Sequence, residues 1–239
     1  MKKAQVTMFI MIGMILLVMS ALFFYATELS QKRVGITVVE ASDAKELVEH
    51  CLNAVADDAL LVIGRHGGFA RLPLTYFEPL NATYLFDEGQ NNALDVDAVA
   101  QQLADYTEQH LNACVNDFLI LQDKGIMVVE KSPPKVTVTL AERDVRFAID
   151  YAVEEQKGGM KTVPSFVPAQ KAVRLKHTAQ LAHDLVESEK NNNGQFDLDA
   201  PCELDVTHFP IDKTLITIIT DNNFLIQNKP YRFVFAHKR

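Results

Sequence analysis

The N-terminal segment of this chain contains no charged residue between Lys3 and Glu28, and residues 8–26 are almost entirely apolar. An α-helix rises about 1.5 Å per residue, so these nineteen positions would span roughly 28 Å, close to the hydrocarbon thickness of a bilayer. A segment of this length and composition predicts a single transmembrane helix. The rest of the chain must then fold on one side of the membrane.

Three interpretations of this segment are open: a cleaved secretory signal peptide, a permanent anchor, and a leader that is trimmed while the helix is kept. A secretory signal has an apolar region of about 7–15 residues followed by a cleavage site between small residues. The apolar run here is longer, and the small pairs Ser20-Ala21 and Ala26-Thr27 adjoin the bulky residues 23–25. We therefore expect the mature protein to retain the helix.

The residues directly before the helix are Lys2, Lys3, Ala4 and Gln5. They resemble the class III leader of archaeal type IV pilin-like proteins, and the resemblance covers about the first 25 residues. It implies that a prepilin-type peptidase cuts between Ala4 and Gln5 and leaves the helix on the mature chain.

The leader departs from the pilin pattern at one position. The fifth mature residue would be Phe9, where many pilins carry a glutamate, and this bears on filament assembly more than on processing. Residues 1–27 are then the leader and transmembrane helix, residues 28–41 a stem, and residues 42–239 an extracytoplasmic domain.

Charge bears on orientation and on partners. Lys2 and Lys3 favour a cytoplasmic N-terminus, although Lys32 and Arg33 beyond the helix weaken that bias. The larger part of the chain is then external, where the sequon Asn81-Ala82-Thr83 makes Asn81 a candidate for glycosylation. The formal net charge of −8 argues against a nucleic-acid partner, because phosphates require a basic surface.

Periodicity in the remaining chain predicts an α+β fold, with an antiparallel sheet and two or three packed helices. Helices are expected over residues 42–64, with Ser42 as N-cap, over residues 95–121, and over residues 175–190. Residues 145–153 alternate apolar and polar, which predicts a strand with one buried face. Residues 214–220 are apolar on both faces, which is typical of a central strand.

This layout also resembles a group of uncharacterised archaeal surface proteins, for which no activity is established. Those proteins have the same leader, a Cys-bearing first helix that ends in a Gly-Gly turn, and a second Cys-bearing helix before a β-region. The matching segments here are His50-Cys51-Leu52, residues 64–69 and Ala113-Cys114-Val115. The resemblance supports the class of protein and implies no function.

Three cysteines are present, at positions 51, 114 and 202. Cys51 and Cys114 each lie in the apolar stripe of a predicted helix, where they could form a disulfide or remain buried thiols. Because both face one core and the domain is expected to be external, we favour the disulfide. Cys202 lies in a loop-like stretch and is expected to be unpaired.

No pattern indicates a cofactor, a metal site or a catalytic constellation. His110 and Cys114 are four residues apart, but a second ligand pair is not well placed, and a histidine beside a core stripe is usually structural. The glycines of Arg65-His66-Gly67-Gly68 follow a helix, whereas phosphate-binding loops precede one. Acidic residues lie in a predicted solvated loop that lacks the spacing of a calcium-binding EF-hand (Asp197, Asp199, Glu203 and Asp205).

The sequence therefore predicts a single-pass, membrane-anchored surface protein with its C-terminal domain outside the cell. Its expected role is that of a pilin-like structural or adhesive subunit. The alternative is an anchored envelope-binding or hydrolytic module. Its expected partners are the membrane, a prepilin-type peptidase and, in a filament, further copies of itself through the N-terminal helix.

Overall fold

The computed structural model describes residues 41–191 and 204–238. The predicted leader and transmembrane helix, the stem before Ala41, Cys202 and most of the acidic loop lie outside the described residues. Within the described ranges, no helix is both long enough and apolar enough to cross a membrane.

Four α-helices and two short 3₁₀ segments are present in the described residues. The helices are α1 (Ala44–Arg65), α2 (Val96–Val115), α3 (Leu119–Gln122) and α4 (Leu175–Asn191), and the 3₁₀ segments are Glu78–Leu80 and Asn116–Phe118. Helix α1 packs against α2 and against the last strand of the chain. The α+β class predicted from periodicity is confirmed.

The start of α1 differs by one residue from the prediction. The N-cap is Asp43, whose carboxylate accepts a hydrogen bond from the Glu46 N–H at 2.8 Å. Ser42, the predicted cap, instead donates its backbone N–H to the Glu46 carboxylate at 2.7 Å. Asp43 therefore caps the helix, and Glu46 accepts the N–H of the residue before the cap, whereas in a standard capping box it would accept the N–H of the cap residue itself.

The second predicted helix is interrupted. Helix α2 ends at Val115, and the next three residues all have left-handed backbone conformations, with φ of 45° at Asn116, 52° at Asp117 and 58° at Phe118. Asn and Asp tolerate this region better than most residues do. The chain therefore changes direction before α3 begins, and the prediction of one helix through Leu121 was wrong.

Twelve strands of the described residues form three sheets. The largest has the order β1-β2-β12-β11-β10, with β3 paired to β2, and the smaller sheets have the orders β4-β7-β8 and β5-β6-β9. The strands are β1 Tyr76–Phe77, β2 Ala82–Asp87, β3 Gln90–Asn91, β4 Met127–Glu130, β5 Lys135–Leu140, β6 Val145–Asp150, β7 Val153–Lys157, β8 Met160–Thr162, β9 Ala169–Lys171, β10 Asp205–Ile211, β11 Thr214–Ile226 and β12 Lys229–Lys238.

Most pairings are antiparallel, as predicted. Strand β11, predicted to be central, is an interior strand that pairs with β12 on one side and with the edge strand β10 on the other. The β2–β12 pair is parallel, which the sequence analysis did not predict. These two strands come from opposite ends of the domain. Neither a hairpin turn nor a short crossover marks their pairing in the sequence.

The alternation predicted for residues 145–153 is confirmed in its main features, although Ile149 on the core face is only half-buried. Val145, Phe147 and Tyr151 are buried and Arg146 is exposed, as expected for a strand with one face on the core. The strand itself ends at Asp150, and Val153 begins β7 in a different sheet.

Helix α1 approaches β12 at Gly64. A Cβ atom at this position would lie 2.4 Å from the Arg232 carbonyl oxygen and 3.0 Å from the Tyr231 hydroxyl. The aromatic side chains of β12 that face this helix are fully buried (Tyr231, Phe233 and Phe235). Glycine therefore permits direct contact between a helix and a strand backbone at the centre of the domain.

Candidate functional site

The leader residues Lys2, Lys3, Ala4 and Gln5 lie outside the described residues, so their processing stays a prediction. The sequon Asn81-Ala82-Thr83 lies within the described residues. Asn81 is exposed with φ of 52°, immediately after the first 3₁₀ segment. Thr83 is buried, and its hydroxyl donates a hydrogen bond to the His66 carbonyl at 2.7 Å. The sequon thus presents its asparagine to solvent, while its threonine is part of the folded core.

A disulfide joins Cys51 of α1 to Cys114 of α2, the pair that the sequence analysis favours. Their Cα atoms are 5.7 Å apart, and 63 residues separate them in the chain. Cys51 is only 1% exposed, so the bond lies within the contact between the two longest described helices.

The other predicted motifs have structural roles. His110 Nδ1 lies 2.8 Å from the Tyr106 carbonyl, and its potential metal partner Cys114 is in the disulfide. The glycines after α1 form a helix stop, because Gly68 donates its N–H to the Ile63 carbonyl with both Gly67 and Gly68 at positive φ. Among the described residues, no cluster of three or more His, Cys, Asp or Glu side chains could hold a metal ion.

A buried polar chain connects α4 to the large sheet. Glu189 lies 2.5 Å from His237 Nδ1, and His237 Nε2 lies 3.0 Å from the Thr217 hydroxyl, which in turn lies 3.0 Å from His208. The order carboxylate–imidazole–hydroxyl is that of hydrolase triads. However, Glu189, His237 and Thr217 are each 0% exposed, so a substrate has no access to the hydroxyl. We therefore assign a structural role to this series of hydrogen-bonded side chains, because buried polar groups need hydrogen-bond partners.

A buried ion pair shapes a bulge in β11. Arg174 donates two hydrogen bonds to Asp221, at 2.8 and 3.0 Å, and the same carboxylate accepts the Asn223 N–H at 3.1 Å. The β11–β12 register shifts between Asp221 and Leu225. The cavity of about 670 Å³ beside this bulge is lined by Glu142, Arg143, Arg174, His177, Asn223 and Phe224.

Charges in the bulge cavity are largely engaged with each other. Glu142 contacts Lys176 and lies 2.7 Å from His177 Nε2. Its hydrogen bond with Lys176 lowers the pKa of the Glu142 carboxyl. Arg174 lies over the Phe224 ring, 5.5 Å from the centroid. Glu142, Arg174 and His177 of this cavity are therefore engaged within the protein.

A larger groove lies between α2 and the segment that follows α1. Its volume is about 740 Å³, within the range of small-molecule sites. We call it the Tyr106 groove. It is lined by Phe69, Ala70, Arg71, Gln102, Asp105, Tyr106, Gln109 and His110.

Two aromatic rings of the Tyr106 groove are held in place. The Tyr106 hydroxyl donates a 2.5 Å hydrogen bond to Asp58 of α1. Burial, together with that carboxylate, raises the pKa of Tyr106 well above its usual value, so the hydroxyl stays protonated. The Tyr106 and His110 rings stack with centroids 3.9 Å apart and an interplanar angle of 14°.

The amide side chains of the groove are also fixed. Gln102 Oε1 accepts the Ala70 N–H at 3.0 Å, which leaves the Gln102 amino group as a donor. Gln109 Oε1 accepts a hydrogen bond from Arg71 at 2.7 Å. No sequence pattern predicts this groove, because its walls, residues 69–71 and 102–110, are far apart in the chain and their side chains show no recognisable spacing.

Comparisons with known proteins add no assignment: no protein-family model, no curated protein and no solved structure matches this chain.

Proposed function

We propose that this chain is a membrane-anchored surface protein whose external domain has a structural or adhesive role, with a pilin-like N-terminal helix. The observation that carries the proposal is the Cys51–Cys114 disulfide. Disulfides of this kind persist in oxidising compartments, so the bond supports placement of the domain outside the cell. The uncharged apolar segment between Lys3 and Glu28 supports the anchor.

The groove favours adhesion among the possible roles of the domain. A recess with aromatic surface and several fixed polar groups is the usual form of a ligand site. The alternative, an anchored envelope-binding module, draws on the same observation. Hydrolysis has less support, because the carboxylate–imidazole–hydroxyl chain ending at Thr217 is fully buried.

The mature N-terminus tests the anchor. Protein purified from membranes of the native host would be analysed by intact mass and N-terminal sequencing. A start at Gln5 supports a pilin-like leader, and a start at Met1 supports a simple anchor. A start near Ala26 would contradict both, because the helix would be absent and the domain would be released.

Location and assembly need separate measurements. An external domain should be degraded by protease added to intact cells, and its two bridged cysteines should resist alkylation until a reductant is added. A filament subunit should also be abundant in sheared surface filaments. A domain protected in intact cells, with Cys51 alkylated without reduction, would refute the external location.

A further inference from the structure

We propose that the Tyr106 groove is a saccharide-binding site that takes a single hexose-type sugar unit of a surface glycan. This inference deepens the proposed function and rests on it, since an external domain of an adhesive protein meets the glycans of an envelope or of a neighbouring cell. The juxtaposition that carries it is an aromatic surface enclosed by planar hydrogen-bonding side chains.

The aromatic surface suits the ring of a sugar. A pyranose has apolar C–H faces and a polar rim, and aromatic side chains present apolar area with little conformational entropy to lose. Phe69, Tyr106 and His110 line the groove, and the last two are locked by stacking and by the Tyr106–Asp58 hydrogen bond. The site is therefore ordered before a ligand arrives, which lowers the entropic cost of binding.

The polar rim suits neighbouring hydroxyl groups. Asp105 accepts one hydrogen bond from Gln101 through Oδ1, and its carboxylate has further acceptor capacity. Gln102 retains amide donors, and Arg71 has further guanidinium donors beside the one that it gives to Gln109. Because each hydroxyl both donates and accepts, a mixed set of planar donors and acceptors can satisfy adjacent hydroxyls together. Charges of both signs line the groove, which favours an uncharged polyol over a strongly anionic ligand.

His110 adds one hydrogen-bond acceptor with a fixed direction. His110 Nδ1 is engaged with the Tyr106 carbonyl of the preceding turn, an arrangement that places its proton on Nδ1 in the neutral ring. Nε2 is then an acceptor for a ligand hydroxyl. A peptide is a poorer match, because the lining consists of a helix flank and a loop and offers no strand edge for pairing.

The test uses the full chain in lipid nanodiscs, so that no sugar-headed detergent competes. The probes are glucose, galactose, mannose and the corresponding N-acetylhexosamines. Their binding is measured by saturation-transfer NMR and by calorimetry. We expect at least one of these sugars to bind with a dissociation constant in the millimolar range or tighter. If none binds, or if short sugar-free peptides occupy the groove instead, the proposal is overturned.

Two variants locate the site. Gln109→Ala is at an exposed position of α2 and His110→Ala at a half-buried one, and both introduce a strong helix former, so the fold should be kept. Each should weaken sugar binding by about tenfold or more, which corresponds to about 1.4 kcal/mol. The melting temperature should be unchanged in Gln109→Ala and slightly lower in His110→Ala, which loses its stacking on Tyr106. His177→Ala in the bulge cavity is the matched control and should bind sugar like the unmodified protein. Equal affinity in all three variants would refute the assignment of the site.

The outcomes separate this inference from the proposed function. Sugar binding is measured on purified protein and does not depend on where the protein is located. Protease accessibility and the mature N-terminus are measured in the native host and do not depend on ligand binding. An external protein that binds no sugar refutes only the inference drawn here.

Discussion

Removal of the Cys51–Cys114 disulfide should lower stability by an amount set mainly by the length of the loop that it closes. In the chain-entropy model, closing a loop of 63 residues stabilises the fold by about 4 kcal/mol at 25 °C. For a domain of about this size, each kcal/mol shifts the melting temperature by roughly 2–4 °C. We therefore expect reduction to lower the melting temperature by about 8–16 °C.

The assay compares oxidised and reduced protein, which have the same side chains. Thermal unfolding of the full chain in nanodiscs would be followed by circular dichroism, with and without reductant. The double variant Cys51→Ala with Cys114→Ala should melt close to the reduced protein, with a small additional loss because Cys51 is 1% exposed and packed. It should not respond to reductant.

Cys202→Ala provides the control. Because Cys202 is predicted to be unpaired, this variant should retain the full response to reductant. A change of less than about 2 °C on reduction of the unmodified protein would refute the reasoning, because it falls well below the shift expected for a loop of this length. Loss of the response in Cys202→Ala would show that a different pair carries the stabilisation.

Three further substitutions probe a close helix–strand contact, a buried ion pair and a half-buried histidine. Gly64→Ala should destabilise the fold by about 1–3 kcal/mol, because the added Cβ would lie 2.4 Å from the Arg232 carbonyl oxygen, and this clash outweighs the better helix propensity of alanine. Denaturant unfolding measures the change, and a gain in stability would contradict the prediction. Asp221→Asn should cost about 3–5 kcal/mol because it leaves the buried Arg174 without its bidentate carboxylate, and a loss under 1 kcal/mol would contradict that view. Burial, together with nearby Arg65, lowers the pKa of His66 below 6.5, so protonation favours the unfolded chain and stability should be complete above pH 6.5 and fall as the pH drops below it. His66→Gln should flatten that decline in a series of melts from pH 7.5 to 5, and an unchanged slope would rule out His66 as its cause.

Local patterns in the sequence determined much of the secondary structure. The helix expected over residues 175–190 occurs as Leu175–Asn191, and the alternation at Val145 and Phe147 matches the buried face of β6. Both signals come from neighbours along the chain, because side chains repeat with a period of 3.6 in helices and of 2 in strands. The same periodicity placed Cys51 and Cys114 on core-facing stripes, which is why their pairing could be anticipated.

The tertiary structure alone decided which distant segments meet. The parallel β2–β12 pair, the buried contact of Glu189 with His237, and the Tyr106 groove all join residues that are tens of residues or more apart. Such contacts have no fixed spacing, so no periodic pattern reveals them. Hydrophobic burial fixes which faces of the helices and strands turn inward, but the packing of those faces determines which polar side chains become neighbours. The apolar N-terminal segment is the reverse case, since its expected place in a membrane follows from composition and length alone.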